Sequence, residues 1–382
     1  MSNVINHSER PHAVLSASGS SRWLNCPGSV DAEKDIPNPS SSFALEGTLA
    51  HELADTCLKN KCDADDYVGK EITGDIIQKD MASFVQEYLD YVRSYETANS
   101  TLYTEERVDF SNVVPDGFGT MDAAVILPDG TCHIFDLKYG QGVVVSAENN
   151  TQGLLYAIGL HNYLEFLGGI EKFIIHIVQP RVSNYSVWEV SVDKLKEFAK
   201  WASKRAKLAL SNNAPRIPGE KQCQWCRAKA NCLALSMHVQ SVIMLEFDDG
   251  TKLPDIADLT DGDKKAILDN TKLIETFLKA VKADVHARIE QGQDFNGYKL
   301  VSGKANRKWT DNAHLELEKE LGDEAYTKKP ITITEAQKLL GKKRVDELTY
   351  KPTGSPTLVP SSDKRQSISY EPVEDCFEVI KK

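Results

Sequence analysis

The sequence predicts an α/β fold, a mixed sheet with helices on both faces, and three observations carry that expectation. Between residues 43 and 210, helix-period and strand-period runs follow in the order α, βββ, α, ββ, α. The turn-forming triplets Pro115-Asp116-Gly117 and Pro128-Asp129-Gly130 separate three strand-like runs. The apolar share of 41%, with 26% charged residues, is that of an ordinary globular protein, which excludes disordered, collagenous and coiled-coil classes.

Each element has its own signal. Amphipathic periodicity predicts helices over Phe43 to Lys59 and Ile76 to Glu96. Strands are expected at Tyr103 to Phe110, Phe118 to Leu127 and Thr131 to Tyr139. A helix from Ala147 to Phe166 should end at Gly168-Gly169, before strands at Lys172 to Gln179 and Tyr185 to Val192 and a helix at Asp193 to Leu210. Past residue 240, Ile267, Ile274 and Val281 recur every seven residues, as do Leu278 and Val285, so Asp261 to Gln291 reads as one long helix. Gly297 to Trp309 reads as a short hairpin carrying Lys299, Lys304, Arg307 and Lys308, and Thr334-x-x-Gln337 as a capping box. From Lys351 the Pro/Ser/Lys-rich stretch reads as a flexible tail. The division expected is a sheet-bearing domain over 1–238, a mainly helical region over 239–350 and a tail over 351–382.

Composition narrows the setting. Eight cysteines are too few for a disulfide scaffold, the first ten residues lack the apolar core of a signal peptide, and runs such as Phe173 to Val178 fall far short of a bilayer span. A soluble protein of the reducing cytoplasm, with no membrane partner, is expected. Net charge is −11, so no surface that binds nucleic acid everywhere is expected. The window Lys194 to Lys229 departs from this, with ten Lys or Arg against Glu197 and Glu220. A solvated helix face is the plain account of such a run; its place beside a cysteine cluster points to a polyanion contact.

The most informative stretch is GTMDAAVILPDGTCHIFDLKYG. A three-residue loop at Pro128, Asp129 and Gly130 pairs Leu127 with Thr131, so paired residue numbers sum to 258 and Asp122 faces Asp136. Carboxylates ~5 Å apart repel by ~3 kcal/mol at an effective dielectric of ~20, so a positive group belongs there. A divalent metal answers that need, with Lys138 beside it to act on a water or a phosphorane charge. A plain ion pair between Lys138 and either aspartate is the competing account. Gln152 and Tyr156 lie four apart on the following helix, His51 on the first helix offers an imidazole, and Glu106 on the preceding strand offers a third carboxylate.

A second cluster is Cys223-Gln-Trp-Cys226-x5-Cys232, with the short spacing of a metal knuckle but no fourth ligand nearby. Cys26, Cys57, Cys62, Cys132 and Cys376 remain to supply one.

Gly119-Thr-Met-Asp122, then Asp136-Leu-Lys138, then Gln152-x-x-x-Tyr156, after His51 in a Gly-x-x-x-His helix, resembles the RecB branch of the PD-(D/E)XK nuclease superfamily over roughly residues 14 to 235. The resemblance implies a restriction-endonuclease-like αβββαβ core. It also implies Mg²⁺ or Mn²⁺ ligands at His51, Asp122 and Asp136, a catalytic lysine at Lys138, and DNA-positioning roles for Gln152 and Tyr156. Many relatives carry Glu where this chain has Asp136. SASGSSRWLNCPGS resembles the N-terminal segment of the iron-sulfur nucleases of that superfamily, the AddB-like and CRISPR-adaptation types, which join one early cysteine to a late C-x2-C-x5-C. Cys26, Cys223, Cys226 and Cys232 would then hold a [4Fe-4S] cluster, with Zn²⁺ as the alternative. The function implied is a metal-dependent DNA exonuclease acting on ends or single strands in phage-type recombination or replication, with a single-strand-binding or annealing protein as a partner. Two other classes remain open: a scaffold subunit without turnover, and a zinc-stabilised interaction protein whose long helix recruits a partner.

Overall fold

The structure is a computed structural model that describes residues 13–38, 42–164, 169–244 and 260–301, with residues 341, 343, 344 and 348. Contacts divide the chain into two units, Met1–Asp294 and Phe295–Lys382. The compact first unit therefore continues well past residue 238. Within it lie helices α1 (Ser20–Asn25), α2 (Ser29–Glu33) and α3 (Ser42–Asn60), a two-stranded ribbon of β1 (Glu71–Ile72) and β2 (Asp75–Ile76), and α4 (Lys79–Arg93). Then come β3 (Thr101–Asp109), β4 (Phe118–Ile126), β5 (Thr131–Leu137), α5 (Thr151–Leu164), β6 (Lys172–Gln179), β7 (Asn184–Ser191) and α6 (Val192–Ala209). Short α7 (Glu220–Gln224), α8 (Leu233–Met244), α9 (Asp261–Asp269) and α10 (Thr271–Glu290) follow.

Strands β3 to β7 form one sheet in sequence order. Neighbours are antiparallel except β5 and β6, which are parallel because α5 crosses between them. The expected hairpin register holds from Ala123 with Phe135 to Ile126 with Cys132, and Leu127 N donates to Thr131 O at 2.9 Å across a turn in which Gly130 takes φ +80°, but the ladder stops short of the expected Asp122 to Asp136 pair. All seven residues of β5 are buried, as a strand covered on both faces requires. On one face Trp23 and Leu24 of α1, Leu155 and Ile158 of α5 and Leu195 and Ala202 of α6 pack on Ala124, Ile134 and Ile175. On the other, Leu53 of α3 and Val85 and Leu89 of α4 pack on Ala123, Val125 and Phe135.

Several boundaries differ from expectation, each for a local reason. The helix expected from Ile76 begins at Lys79, because Thr73 and Gly74 take φ +49° and +93° and fold residues 71–76 into the ribbon. The helix expected from Ala147 begins at Thr151, after Asn149 at φ +55°, with the Asn150 side chain accepting from Gly153 N at 3.0 Å. The long helix breaks at Asn270, whose amide donates to Ala266 O and accepts from His238. Its buried face shares only Ile274 with the expected heptad stripe: Leu273, Ile274 and Phe277 pack on Cys223, Cys232, Leu235 and Val239. In the second unit residues 297–301 carry no strand; the rest of the expected hairpin, the Thr334 capping box and the tail lie outside the described residues, apart from isolated positions. Among the described residues no helix is long and apolar enough to cross a membrane.

A buried polar chain lies under α4. Tyr95 donates to the Tyr91 hydroxyl at 3.3 Å, Tyr91 meets His176 Nδ1 at 3.0 Å, and His176 Nε2 meets His133 Nδ1 at 2.9 Å. With Tyr95 donating, the Tyr91 proton goes to His176 Nδ1 and His176 donates onward from Nε2, so both imidazoles are neutral. Burial, then the neighbouring His133, pushes His176 down to about 3. Above about pH 6.5 this stabilises the fold fully; as pH falls the unfolded imidazole takes a proton that the folded one refuses until about 3. Acidifying from about pH 7.5 to about pH 5 is thus expected to cost about 2 kcal/mol through this one residue. Urea unfolding of wild type and His176→Gln at the two pH values checks it: the variant should lose less on acidification, and an equal loss would place the effect elsewhere.

Candidate functional site

The site is built where β3 and β4 change face together. Around them the ladder runs Thr104 to Ala123 and Glu106 to Met121, which sets Glu105 opposite Asp122. Alternation would put Met121 and Ala124 on opposite faces, yet both join the core on the α5 side, and so do Tyr103 and Val108 of β3. Glu105 sits at φ +45°, a left-handed residue in mid-strand, and that is the point of reversal. The two carboxylates meet His51 on α3, whose Nδ1 lies 3.3 Å from Asp122 Oδ1 and 3.9 Å from Glu105 Oε1. One ligand atom from each of the three residues fits within a 4.8 Å group suited to a cation.

Asp122 also reaches the next strand. Its Oδ2 accepts from Leu137 N at 2.7 Å, closing the ladder beyond the Ala123 to Phe135 pair. Asp136, expected as a metal ligand, lies outside the three-residue group and is held instead by Lys138, whose Nζ is 2.8 Å from Oδ2 and 3.1 Å from Oδ1. The ammonium thus spans both carboxylate oxygens, and the Asp136 side chain is buried. Lys138 Nζ donates onward to Gln152 Oε1 at 3.1 Å, and Gln152 Nε2 to the Tyr156 hydroxyl at 3.1 Å. The four residues Asp136, Lys138, Gln152 and Tyr156 therefore form one polar line from β5 to α5. Gly119 makes room for its end, since a Cβ there would lie 2.9 Å from Tyr156 Cε1.

Charge within the site is balanced by the protein's own groups. Burial would lower the His51 pKa, but the Asp122 carboxylate and its hydrogen bond outweigh that and raise it to about 9. Burial likewise works against Asp122, and His51 overcomes it, holding the carboxyl below its usual range. Burial raises Glu105 to about 7, helped by the Asp122 charge. Burial also raises Asp136 despite Lys138, while Lys138 is raised by Asp136 and Asp122 against its own desolvation.

Glu106, the third carboxylate expected from the sequence, faces the other way. It lines a cleft of about 480 Å³ with Tyr103, Arg107 and Asn162. Glu105 takes its place. The parity that selects it is the pairing with Asp122, which the irregular connection from Phe110 to Gly117 does not fix in advance.

Cys26, Cys223, Cys226 and Cys232 line one cavity. Backbone N–H groups already point at two of the sulfurs, Ile217 N at 3.2 Å from Cys26 Sγ and Gly219 N at 3.5 Å from Cys223 Sγ. Burial raises the Cys26 and Cys223 thiols and pushes Cys226 up to about 11. The segments also dock directly: buried Glu33 takes Arg22 Nε at 2.7 Å and Arg227 N at 2.7 Å, and Gly28 N donates to Pro215 O at 2.9 Å. A Cβ at Gly28 would stand 2.6 Å from Ala214 O, so this approach excludes any larger residue. Cys57, Cys62 and Cys132 lie elsewhere, within or against the sheet cores; Cys376 lies outside the described residues.

A solved structure described as the crystal structure of SSO0001 is similar at 16% identity over 57% of this chain and 85% of that one, with a TM-score of 0.26, a likeness too slight to bear on fold or function. A family model described as a protein of unknown function (DUF2800) matches residues 12–366, and the chain belongs to that family.

Proposed function

We propose that the chain is a metal-dependent DNA nuclease, an exonuclease of the RecB-like PD-(D/E)XK kind, working on DNA ends or single strands in a phage-type recombination or replication setting within a reducing cytoplasm. The observation that carries this reading is the junction of two groups: the His51, Glu105 and Asp122 cluster, and the buried Asp136 carboxylate paired with Lys138. A structural ion pair accounts for Lys138 and Asp136 alone. It does not account for a strained Glu105 aimed at the same place.

The donor set, one imidazole and two carboxylates, fits a hard divalent cation such as Mg²⁺ or Mn²⁺, which His51, Asp122 and Glu105 would hold, with Asp136 and its Lys138 partner nearby. Such an ion, when bound, acidifies water and polarises a phosphate oxygen. The chain's own groups supply the rest. Lys138 keeps its proton, raised by two carboxylates, and so offers positive charge to a phosphorane oxygen. Gln152 bridges Lys138 to Tyr156 and fixes the ammonium relative to α5. His51 must give up its proton to serve as a ligand, and Asp122 then becomes free to do the same.

For the cysteines, the reading is a [4Fe-4S] cluster. All four thiols line one cavity, with backbone N–H groups directed at two of the sulfurs, an arrangement that thiolate ligands of a cluster would use; a tetrahedral zinc would draw on the same four.

Four experiments test these assignments. On end-labelled single- and double-stranded DNA with Mg²⁺, Mn²⁺ or EDTA, Lys138→Ala is expected to lower cleavage by about a thousandfold or more. Because Asp136 and Lys138 neutralise each other in the interior, Asp136→Asn paired with Lys138→Gln should hold its melting temperature better than either single change. Cleavage retained by Lys138→Ala would end the nuclease reading. For the ion, Glu105→Gln should weaken Mn²⁺ binding by calorimetry about tenfold or more while Glu106→Gln leaves it unchanged; the reverse order would restore Glu106 as the ligand. For the cluster, anaerobically purified protein should be brown, with about four irons per chain that Cys26→Ala loses; colourless protein holding stoichiometric zinc would overturn it.

A further inference from the structure

We infer that the outer face of α6 is a stacking track for single-stranded nucleic acid, with Trp201 as its base-stacking residue. This rests on the nuclease reading for its purpose and on α6 alone for its chemistry. The helix carries Lys194, Lys196, Lys200, Lys204, Arg205 and Lys207 against Asp193 and Glu197, in a chain of net charge −11. Arg205 is committed inward, donating to the Leu24 and Asn25 carbonyls. Among the described residues, no carboxylate lies within 4.0 Å of Lys196, Lys200, Lys204 or Lys207. Lys200, Lys204 and Lys207 follow an i, i+4, i+7 spacing, so their ammonium groups form one row along the helix, which Asp193 and Glu197 continue toward the N-terminus.

Trp201 has no place in the core. The buried stripe of α6 is Leu195, Ala202, Ala206 and Ala209, and Trp201 is 41% exposed. By helical spacing it lies between the lysine row and the ridge of Lys194 and Phe198. The Phe198 ring stands 5.8 Å from it and steadies one edge, and one turn earlier Lys194 Nζ sits 4.6 Å over the Trp188 ring. A row of unpaired cations beside an indole with an open edge suits a chain that offers phosphates and accessible base faces together. A duplex offers the phosphates but keeps its bases stacked inside, and an acidic polypeptide offers no ring to stack. The location also suits the proposed chemistry: α6 packs beside α5, which carries Gln152 and Tyr156, on the same face of the sheet.

The test uses the full chain in EDTA, where no cutting occurs, titrated with a dT oligonucleotide and read by tryptophan fluorescence and by anisotropy of a labelled oligonucleotide. Wild type should show quenching. Trp201→Phe should lose most of that quenching and bind about tenfold more weakly, whereas Trp225→Phe, which removes another exposed indole, should keep both. Lys200→Gln with Lys204→Gln should flatten the slope of log affinity against log salt by about 1.4. Unchanged quenching and affinity in Trp201→Phe, or competition by heparin or duplex DNA as strong as by unlabelled dT, would overturn the track. The two readings fail separately. Binding through Trp201 with no cleavage in Mn²⁺ would remove the nuclease and leave the track, and normal cleavage with Trp201-independent binding would do the opposite.

Discussion

The joint change of face at Glu105 and Asp122 is the constraint on which the rest of the site depends. Counted from Tyr103 and Ala124, alternation would turn both side chains to the α5 side; counted from Val108 and Met121 it turns them toward α3, and the reversal between these stretches is what lets them meet His51. A left-handed non-glycine residue in a strand costs roughly 1 to 2 kcal/mol, and it persists only where neighbours over-determine it. Here they do so from three directions. Met121 and Val108 are locked into the core on one side of the switch, Ala123 is locked into the opposite core on the other, and Asp122 is tied to β5 through Leu137 N. The distortion is therefore paid out over the whole sheet, and its product is a pair of acids facing one imidazole.

How much of this was legible in the sequence follows from how each register is set. A three-residue loop with glycine at its third position fixes a hairpin without help from tertiary structure, so the β4 to β5 register was readable, and Asp136, Lys138, Gln152 and Tyr156 fall into one connected line. The β3 to β4 connection is longer and turns through Val114 and Gly117, so nothing local chooses between odd and even residues, and Glu106 was expected where Glu105 stands. Helix ends were misplaced where asparagine or a Thr-Gly pair took φ values that hydrophobic periodicity does not register. The heptad stripe of the C-terminal helices misled for a different reason. It took the spacing as one continuous apolar face, while the element it packs on is the cysteine knuckle, which asks only for Leu273, Ile274 and Phe277.

That packing changes what the four cysteines do. A clasp between residues 26 and 223 would by itself fold a long loop, but Glu33 already joins Arg22 to Arg227, and Gly28 already rests against Pro215 and Ala214. These contacts hold the sulfurs around a cavity before anything fills it. The raised Cys26, Cys223 and Cys226 thiols show the cost of that arrangement: burial holds them in the neutral form, so a cation bound there would have to displace protons. The knuckle is also continuous with α10, so whatever fills the cage bears on the helical segment beyond it.

The same competition between proton and cation revises the electrostatic argument for a metal. Two aspartates near one another do not by themselves demand an ion, because His51 held near 9 carries a proton beside Asp122 and Lys138 carries one beside Asp136. The unliganded site is thus neutralised from within. What distinguishes it from a pair of ordinary salt bridges is the surplus acid: Glu105, raised to about 7 by burial and by Asp122. A site meant only to pair charges needs no third carboxylate. An ion taking the place of the His51 proton would answer Glu105 and Asp122 together, with Lys138 still charged beside Asp136.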